Sequence, residues 1–269
     1  MRMTDSHEFS RAALCAVLLL AATQVLHGQS PAAASDSSNK PPAAVRLAQA
    51  GVPGVTPSMD ATGLIRLADQ ARQEAQYERS ATILREVLAD DPQNLAALSA
   101  LAYTYEVIAR DGRNSTDPAV KARAEEAIEA GVQAYLQLGA TLRARNDLKT
   151  AEEAYIKVLN LRPSHPQGQL GLAQVQAASN REVNAIARYQ DYLRNPAVQR
   201  DTDALFSANL ELGQVLRRAR MYGQSIATLQ AAQRLNPESS AVFLELAKTY
   251  TDTAEYDRAR TAAMTAIQK

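Results

Sequence analysis

From Ala61 onward, apolar side chains recur three and four residues apart, with polar and charged residues between them. That spacing places the apolar positions on one face of a helix, so it predicts a succession of amphipathic helices. The succession is punctuated. Pro92, Pro163 and Pro237 each follow an aliphatic run, in "VLADDPQN", "VLNLRPSH" and "AQRLNPES". Proline cannot continue the hydrogen-bond ladder and biases the residue before it away from helix, so each marks a helix end. His165 stands in the place that Asn94 and Ser239 take in the other two stretches. A base required for catalysis would not share its slot with those residues, and His165 reads as a solvent-facing turn residue.

The pattern also repeats at long range. Leu64, Leu67, Ala68, Ser80, Leu84 and Pro92 return as Tyr135, Leu138, Gly139, Leu142, Ala151, Tyr155 and Pro163, and again as Asn209, Leu212, Gly213, Leu216, Ser225, Leu229 and Pro237. Fainter copies run through Gln169, Leu172, Ala173, Ala185, Tyr189 and Pro196, and through Phe243, Leu246, Ala247, Tyr250 and Ala259; Leu98, Leu101, Ala102 and Tyr105 open another. The signature resembles the tetratricopeptide repeat, a helix–turn–helix unit, in six copies. The resemblance implies an all-α fold, an α-solenoid in which antiparallel helix hairpins stack into a right-handed superhelix. Ala68, Ala102, Gly139, Ala173, Gly213 and Ala247 are small, so the two helices of a hairpin can approach closely. Ser80, Ala151, Ala185, Ser225 and Ala259 form the matching row on the second helix, and Tyr77, Tyr222 and Tyr256 fall at the turn between.

Two stretches break the period. Asp117-Pro118 reads as a helix start, with proline in the first turn where its missing N–H costs nothing. Beyond it only Gly131 interrupts the helical pattern before Leu142, and residues 118–145 read as one helix or as two. The loop "DGRNST" is longer than the repeat needs, and its Asn114-Ser115-Thr116 is a formal glycosylation sequon best explained by chance. "NPAVQRDTDAL" adds enough chain after Pro196 for an extra turn. At the other end, Ala259, Ala263, Ala266 and Ile267 suggest a mildly apolar end face without a polar capping helix.

The N-terminal residues follow different rules. Residues 1–30 carry Arg2 and Arg11 ahead of an apolar run from Ala12 to Leu26, followed by small and polar residues, and read as a signal peptide. The run is shorter than the ~20 residues a spanning helix needs, so membrane attachment is expected only if this segment stays uncleaved. Residues 31–58 hold Pro31, Pro41, Pro42, Pro53 and Pro57 with few large apolar groups, and read as a flexible tether. The repeat domain is assigned to 59–269.

Composition narrows the function. Removal of the signal takes Cys15, His7 and His27 with it, leaving no cysteine and only His165 among the histidines. No thiolate nucleophile, zinc-thiolate site, His pair or glycine-rich phosphate loop remains. Paired carboxylates such as Asp90-Asp91, Glu125-Glu126 and Glu152-Glu153 read as solvated charge. The expectation is a protein that is not an enzyme and uses no cofactor and no metal. Formal net charge is zero, so no overall field attracts nucleic acid.

The family resemblance implies a concave surface lined by the first helix of each hairpin, where an extended or helical peptide of a partner protein lies. The residues it assigns there are Ile65, Arg72, Tyr103, Leu136, Arg143, Leu170, Gln174, Leu210, Gln214, Arg217, Leu244 and Lys248. The aliphatic members would equally serve to pack adjacent repeats. Ser99 and Leu136 stand where a clamp for a C-terminal carboxylate would want charged or amide residues. The chain is thus expected to be an exported protein-binding scaffold or adaptor, periplasmic or envelope-associated in a bacterium. The alternative is a structural subunit of an envelope assembly or secretion complex, self-associating or joining through its C-terminal end.

Overall fold

The computed structural model describes residues 40–269; the signal expected over 1–30, with Cys15, His7 and His27, lies outside the described residues. These residues form twelve α-helices and no strand, grouped into two compact units, the chain passing from one to the other between Val175 and Gln176. The first unit contains α1 (Ala43–Gln49), α2 (Ala61–Gln73), α3 (Tyr77–Asp90), α4 (Leu95–Gly112), α5 (Pro118–Ala144), α6 (Leu148–Leu161) and most of α7 (Pro166–Ala178). The second holds the end of α7, α8 (Glu182–Leu193), a 3-10 turn (Val198–Arg200), α9 (Thr202–Arg218), α10 (Tyr222–Leu235), α11 (Ser240–Asp252) and α12 (Tyr256–Gln268). Within each unit, antiparallel hairpins of the α-solenoid type pack side by side.

One turn geometry closes five of the hairpins. Ala75, Asn146, Asn180, Arg220 and Ala254 each adopt a left-handed backbone, with φ between 54° and 61°. In each case the next N–H reaches back to a carbonyl in the last helical turn: Gln76 to Ala71, Asp147 to Leu142, Arg181 to Gln176, Met221 to Leu216 and Glu255 to Tyr250. This is the Schellman closure, which satisfies carbonyls that the helix end would otherwise orphan. Between hairpins, Asp91, Arg162 and Asn236 are extended, with φ of −131°, −138° and −139°, as the following prolines require.

Small residues set how closely the helices approach. A Cβ added at Gly139 would lie 2.9 Å from Cζ of Tyr155, and one at Gly171 would lie 2.2 Å from Cε1 of the same ring. Tyr155 on α6 therefore occupies notches in both α5 and α7. At Gly213 the added Cβ would lie 2.6 Å from Leu229. The small rows expected on the second helices are buried throughout: Ser80, Ala151, Ala185, Ser225 and Ala259 have no exposed surface.

α5 resolves the open question over residues 118–145: it is one helix of 27 residues, started by Pro118 and by Asp117, whose carboxylate accepts from the Ala119 N–H at 2.8 Å. Gly131 does not bend it. A Cβ there would meet Cβ of Tyr105 at 3.3 Å and Cδ1 of Leu161 at 3.4 Å, so the glycine is a notch where α4 and α6 both close on α5. The added residues after Pro196 make the 3-10 turn, with Val198 buried.

Two expectations need correction. Residues 43–49, expected within the tether, form α1, which buries Ala43, Ala44 and Leu47 against Leu64, Ile83 and Val87. Arg46 fixes it through Glu86 at 2.6 Å and Asp90 at 2.8 Å, and the Ala43 N–H donates to Asp90 at 2.6 Å. A helix this short is unstable alone, so only its tertiary partners reveal it. At the other end, Ala259, Ala263 and Ala266 are buried rather than forming an apolar end face. Ala266 and Ile267 pack with Phe243 and Leu244 of α11. The three alanines of the expected joining face are thus spent inside the last hairpin, while Ile267 stays half-exposed.

Ala254→Gly should raise the unfolding free energy by about 0.5–1 kcal/mol, because glycine removes left-handed strain that exceeds its entropic cost. Gly171→Ala should lower it by about 1–3 kcal/mol through overpacking on Tyr155. Urea unfolding of the purified chain measures both.

Candidate functional site

In the first unit the assigned residues come from four helices. Ile65 and Arg72 lie one above the other on α2, two turns apart. Ile65 is half-buried and packs on the core that includes Leu64 and Ala68. Arg72 is held by Asp69 at 3.0 Å, and its guanidinium lies 4.8 Å from the ring centre of Tyr103 on α4. Tyr103 is 44% exposed, so this cation–π contact orients an aromatic face that solvent still reaches. On α5, Leu136 is half-buried against the core and Arg143 is exposed. Leu170 and Gln174 of α7 are half-buried. The fold brings Arg72 and Tyr103 into contact; Ile65 and Leu136 divide their surface between the core and solvent.

The second unit treats its members differently. Leu210 is half-buried against the core that contains Leu229 and Val242, and Gln214 follows it by one turn. Arg217 donates to Asp252 at 3.1 Å and lies 3.7 Å from Glu245. Lys248 donates to the other oxygen of Glu245 at 2.8 Å. Leu244 is only 6% exposed and turns toward Ala266. Arg217 and Lys248 are thus committed to a buried carboxylate, Glu245, that joins α9 to α11. Sequence reasoning missed Glu245 because it follows Leu244 with no periodicity to mark it as buried.

A second network that the sequence did not reveal joins three helices. Glu106 on α4 accepts from the Tyr135 hydroxyl of α5 at 2.5 Å and from Lys157 of α6 at 2.8 and 3.1 Å. Burial pushes the Glu106 carboxyl upward, but the hydrogen bonds from Lys157 and Tyr135 outweigh it and hold the group below its ordinary value. Burial and the bond to Glu106 raise the Tyr135 phenol. No described helix is long and apolar enough to cross a membrane.

Residues 130–199 and 210–269 match the family model of the tetratricopeptide repeat. Over those residues the chain is similar to tetratricopeptide repeats. Such proteins generally mediate protein–protein interactions and are generally non-catalytic. Over 157 residues, 54% of this chain, it is 29% identical to cellulose synthase operon protein C of Pseudomonas fluorescens (strain SBW25), and the match spans 12% of that protein. Among solved structures it is similar to MamA of Desulfovibrio magneticus RS-1, with 15% identity, a TM-score of 0.47, and coverage of 77% of this chain and 93% of that one. It is also similar to PilF of Pseudomonas aeruginosa, with 16% identity, a TM-score of 0.41, and coverage of 75% and 88%.

Within the repeats, His165 is the residue that caps α7. Its Nδ1 accepts from the Gly168 N–H at 3.4 Å, as Asn94 accepts from Ala97 at 3.1 Å at the start of α4. Only the neutral imidazole can accept there. Burial lowers the His165 pKa, outweighing the opposing pull of Glu129, with Arg162 lowering it further. Where the folded pKa lies below the unfolded one, the unfolded chain binds the proton more readily, so stability falls on acidification. The contribution should be complete above about pH 6.5 and lost as the pH falls through the folded value. His165→Asn should keep the cap and remove this slope, seen by comparing urea midpoints at neutral and mildly acidic pH.

Proposed function

We propose that the protein is an exported, non-catalytic scaffold whose repeats hold a peptide or helix of a partner protein in the bacterial cell envelope. The observation that carries this reading is the Arg72–Tyr103 pair: an aromatic ring 44% exposed, fixed by a stacked guanidinium, on a helix whose other side is committed to the core. An ordered, solvent-facing aromatic loses little entropy on binding, which is why such residues dominate interface energies. The half-buried Ile65 and Leu136 offer aliphatic surface on the neighbouring helices, and Arg143 offers charge. In the second unit Leu210 and Gln214 are the residues left for contact, since Leu244 is packed away and Arg217 and Lys248 are paired.

Export rests on Arg2, Arg11 and the apolar run from Ala12 to Leu26. The domain reading keeps the signal at 1–30 and moves the start of the packed body from 59 back to Ala43. The resemblance to a protein named for a cellulose synthase operon covers too little of that protein to bring its role across.

Cross-linking in native envelopes tests the proposal. Tyr103→Ala and Leu136→Glu should each reduce partner capture by about tenfold, the effect of losing 1–2 kcal/mol at a contact centre, while Tyr103→Ala stays folded and loses stability by about 1 kcal/mol, the size of its cation–π contact with Arg72. Undiminished capture by both variants would sink the reading.

A further inference from the structure

We infer a second binding site, apart from the Arg72–Tyr103 face: a donor-rich pocket between the C-terminal turns of α4 and α6 that takes side-chain carboxylates of an acidic peptide. It is a cavity of about 390 Å³ walled by Glu106, Arg110, Arg113 and Asn114 from one side and by Lys157 and Asn160 from the other, with Ala109 and Leu161 as apolar floor.

Donors outnumber acceptors in this wall. The only carboxylate in the wall, Glu106, already accepts from Tyr135 and from Lys157. Arg110 gives its Nε–H to Asp111 at 3.1 Å and leaves its terminal amines unspent. Asp111 itself borders a different cavity, beside Tyr77 and Val120. Arg113, Asn114 and Asn160 have no side-chain partner among the described residues. A guanidinium alone carries five N–H donors and no acceptor, and these side chains are exposed, so an anionic oxygen would take the place of the water that hydrates them.

Charge points the same way. Arg110, Arg113 and Lys157 exceed Glu106 by two positive charges, and Asp111, paired with Arg110, reduces the excess to one, in a chain whose formal net charge is zero. The two helix C-termini offset up to about one charge more, so the local cationic donors, not a net field, would select an anion. Arg113 and Asn160 offer a planar fork and an amide from opposite walls, an arrangement suited to a carboxylate. The apolar floor suits the methylene stem of a glutamate. None of these residues belongs to the peptide face proposed above, and the site would stand if that face bound nothing.

Fluorescence anisotropy with a labelled hexaglutamate peptide and the full chain provides the test. Saturable binding should weaken at least about tenfold in the double variant Arg113→Glu, Asn160→Asp, and weaken as salt is added. Leu136→Glu should leave it unchanged, separating this site from the other face. Hexaglutamine should not compete, and neither inorganic phosphate nor glutarate should displace the peptide at matched carboxylate or phosphate concentration. Equal binding of hexaglutamine, an unaffected double variant, or displacement by the free anions would each overturn the proposal. A loss of folding stability in Arg113→Gln without loss of peptide affinity would overturn it as well, by showing that the cation only offsets the end of α4.

Discussion

Close approach between helices is the constraint on which the structure depends. Tyr155 is the plainest case, its ring seated against Gly139 of α5 on one side and Gly171 of α7 on the other. A methyl group at either glycine would collide with the ring, so the spacing of three helices is fixed by two missing side chains. Leu229 against Gly213 repeats the device in the second unit. A single helix hairpin cannot bury its apolar stripe alone, and close stacking turns short helices of modest hydrophobicity into a shared core.

Close packing has a consequence for polar groups. Ser80 and Thr104 face each other at 3.4 Å in the first unit, and Ser225 and Thr249 do so at the same distance in the second. These hydroxyls are buried, and the threonines also donate to carbonyls one turn back, at Ala100 and Glu245. They fill the small-residue row without leaving an unsatisfied group. The equivalent pair at the end of the first unit is Ala151 and Val175, both buried, where packing alone suffices.

The fusion of two repeat helices into α5 carries the site chemistry of the first unit. Because one helix serves two hairpins, α4 and α6 both close on it at Gly131, and Glu106 can reach Tyr135 and Lys157 together. This junction consumes the one carboxylate between α4 and α6 and leaves the arginines and asparagines around it unspent. In the second unit the corresponding commitment runs the other way: Glu245 absorbs Lys248, and Arg217 is shared between Glu245 and Asp252.

Much of the fold was legible in the chain itself. Helix faces follow from three-and-four spacing, helix ends from Pro92, Pro163 and Pro237, and hairpin contacts from the small rows, because these depend on local backbone geometry and on side-chain size. His165 as a turn residue followed from its alignment with Asn94 and Ser239. What depends on partners distant in sequence could not be read that way. α1 exists because Arg46 meets Glu86 and Asp90, and Leu47 meets the α2–α3 core. Leu244 is packed away and Leu136 is half-exposed although both hold the same repeat position, because burial is set by which neighbouring helix lies above the residue. Periodicity specifies which side chains share a face of a helix; only the packed neighbours decide whether that face is covered.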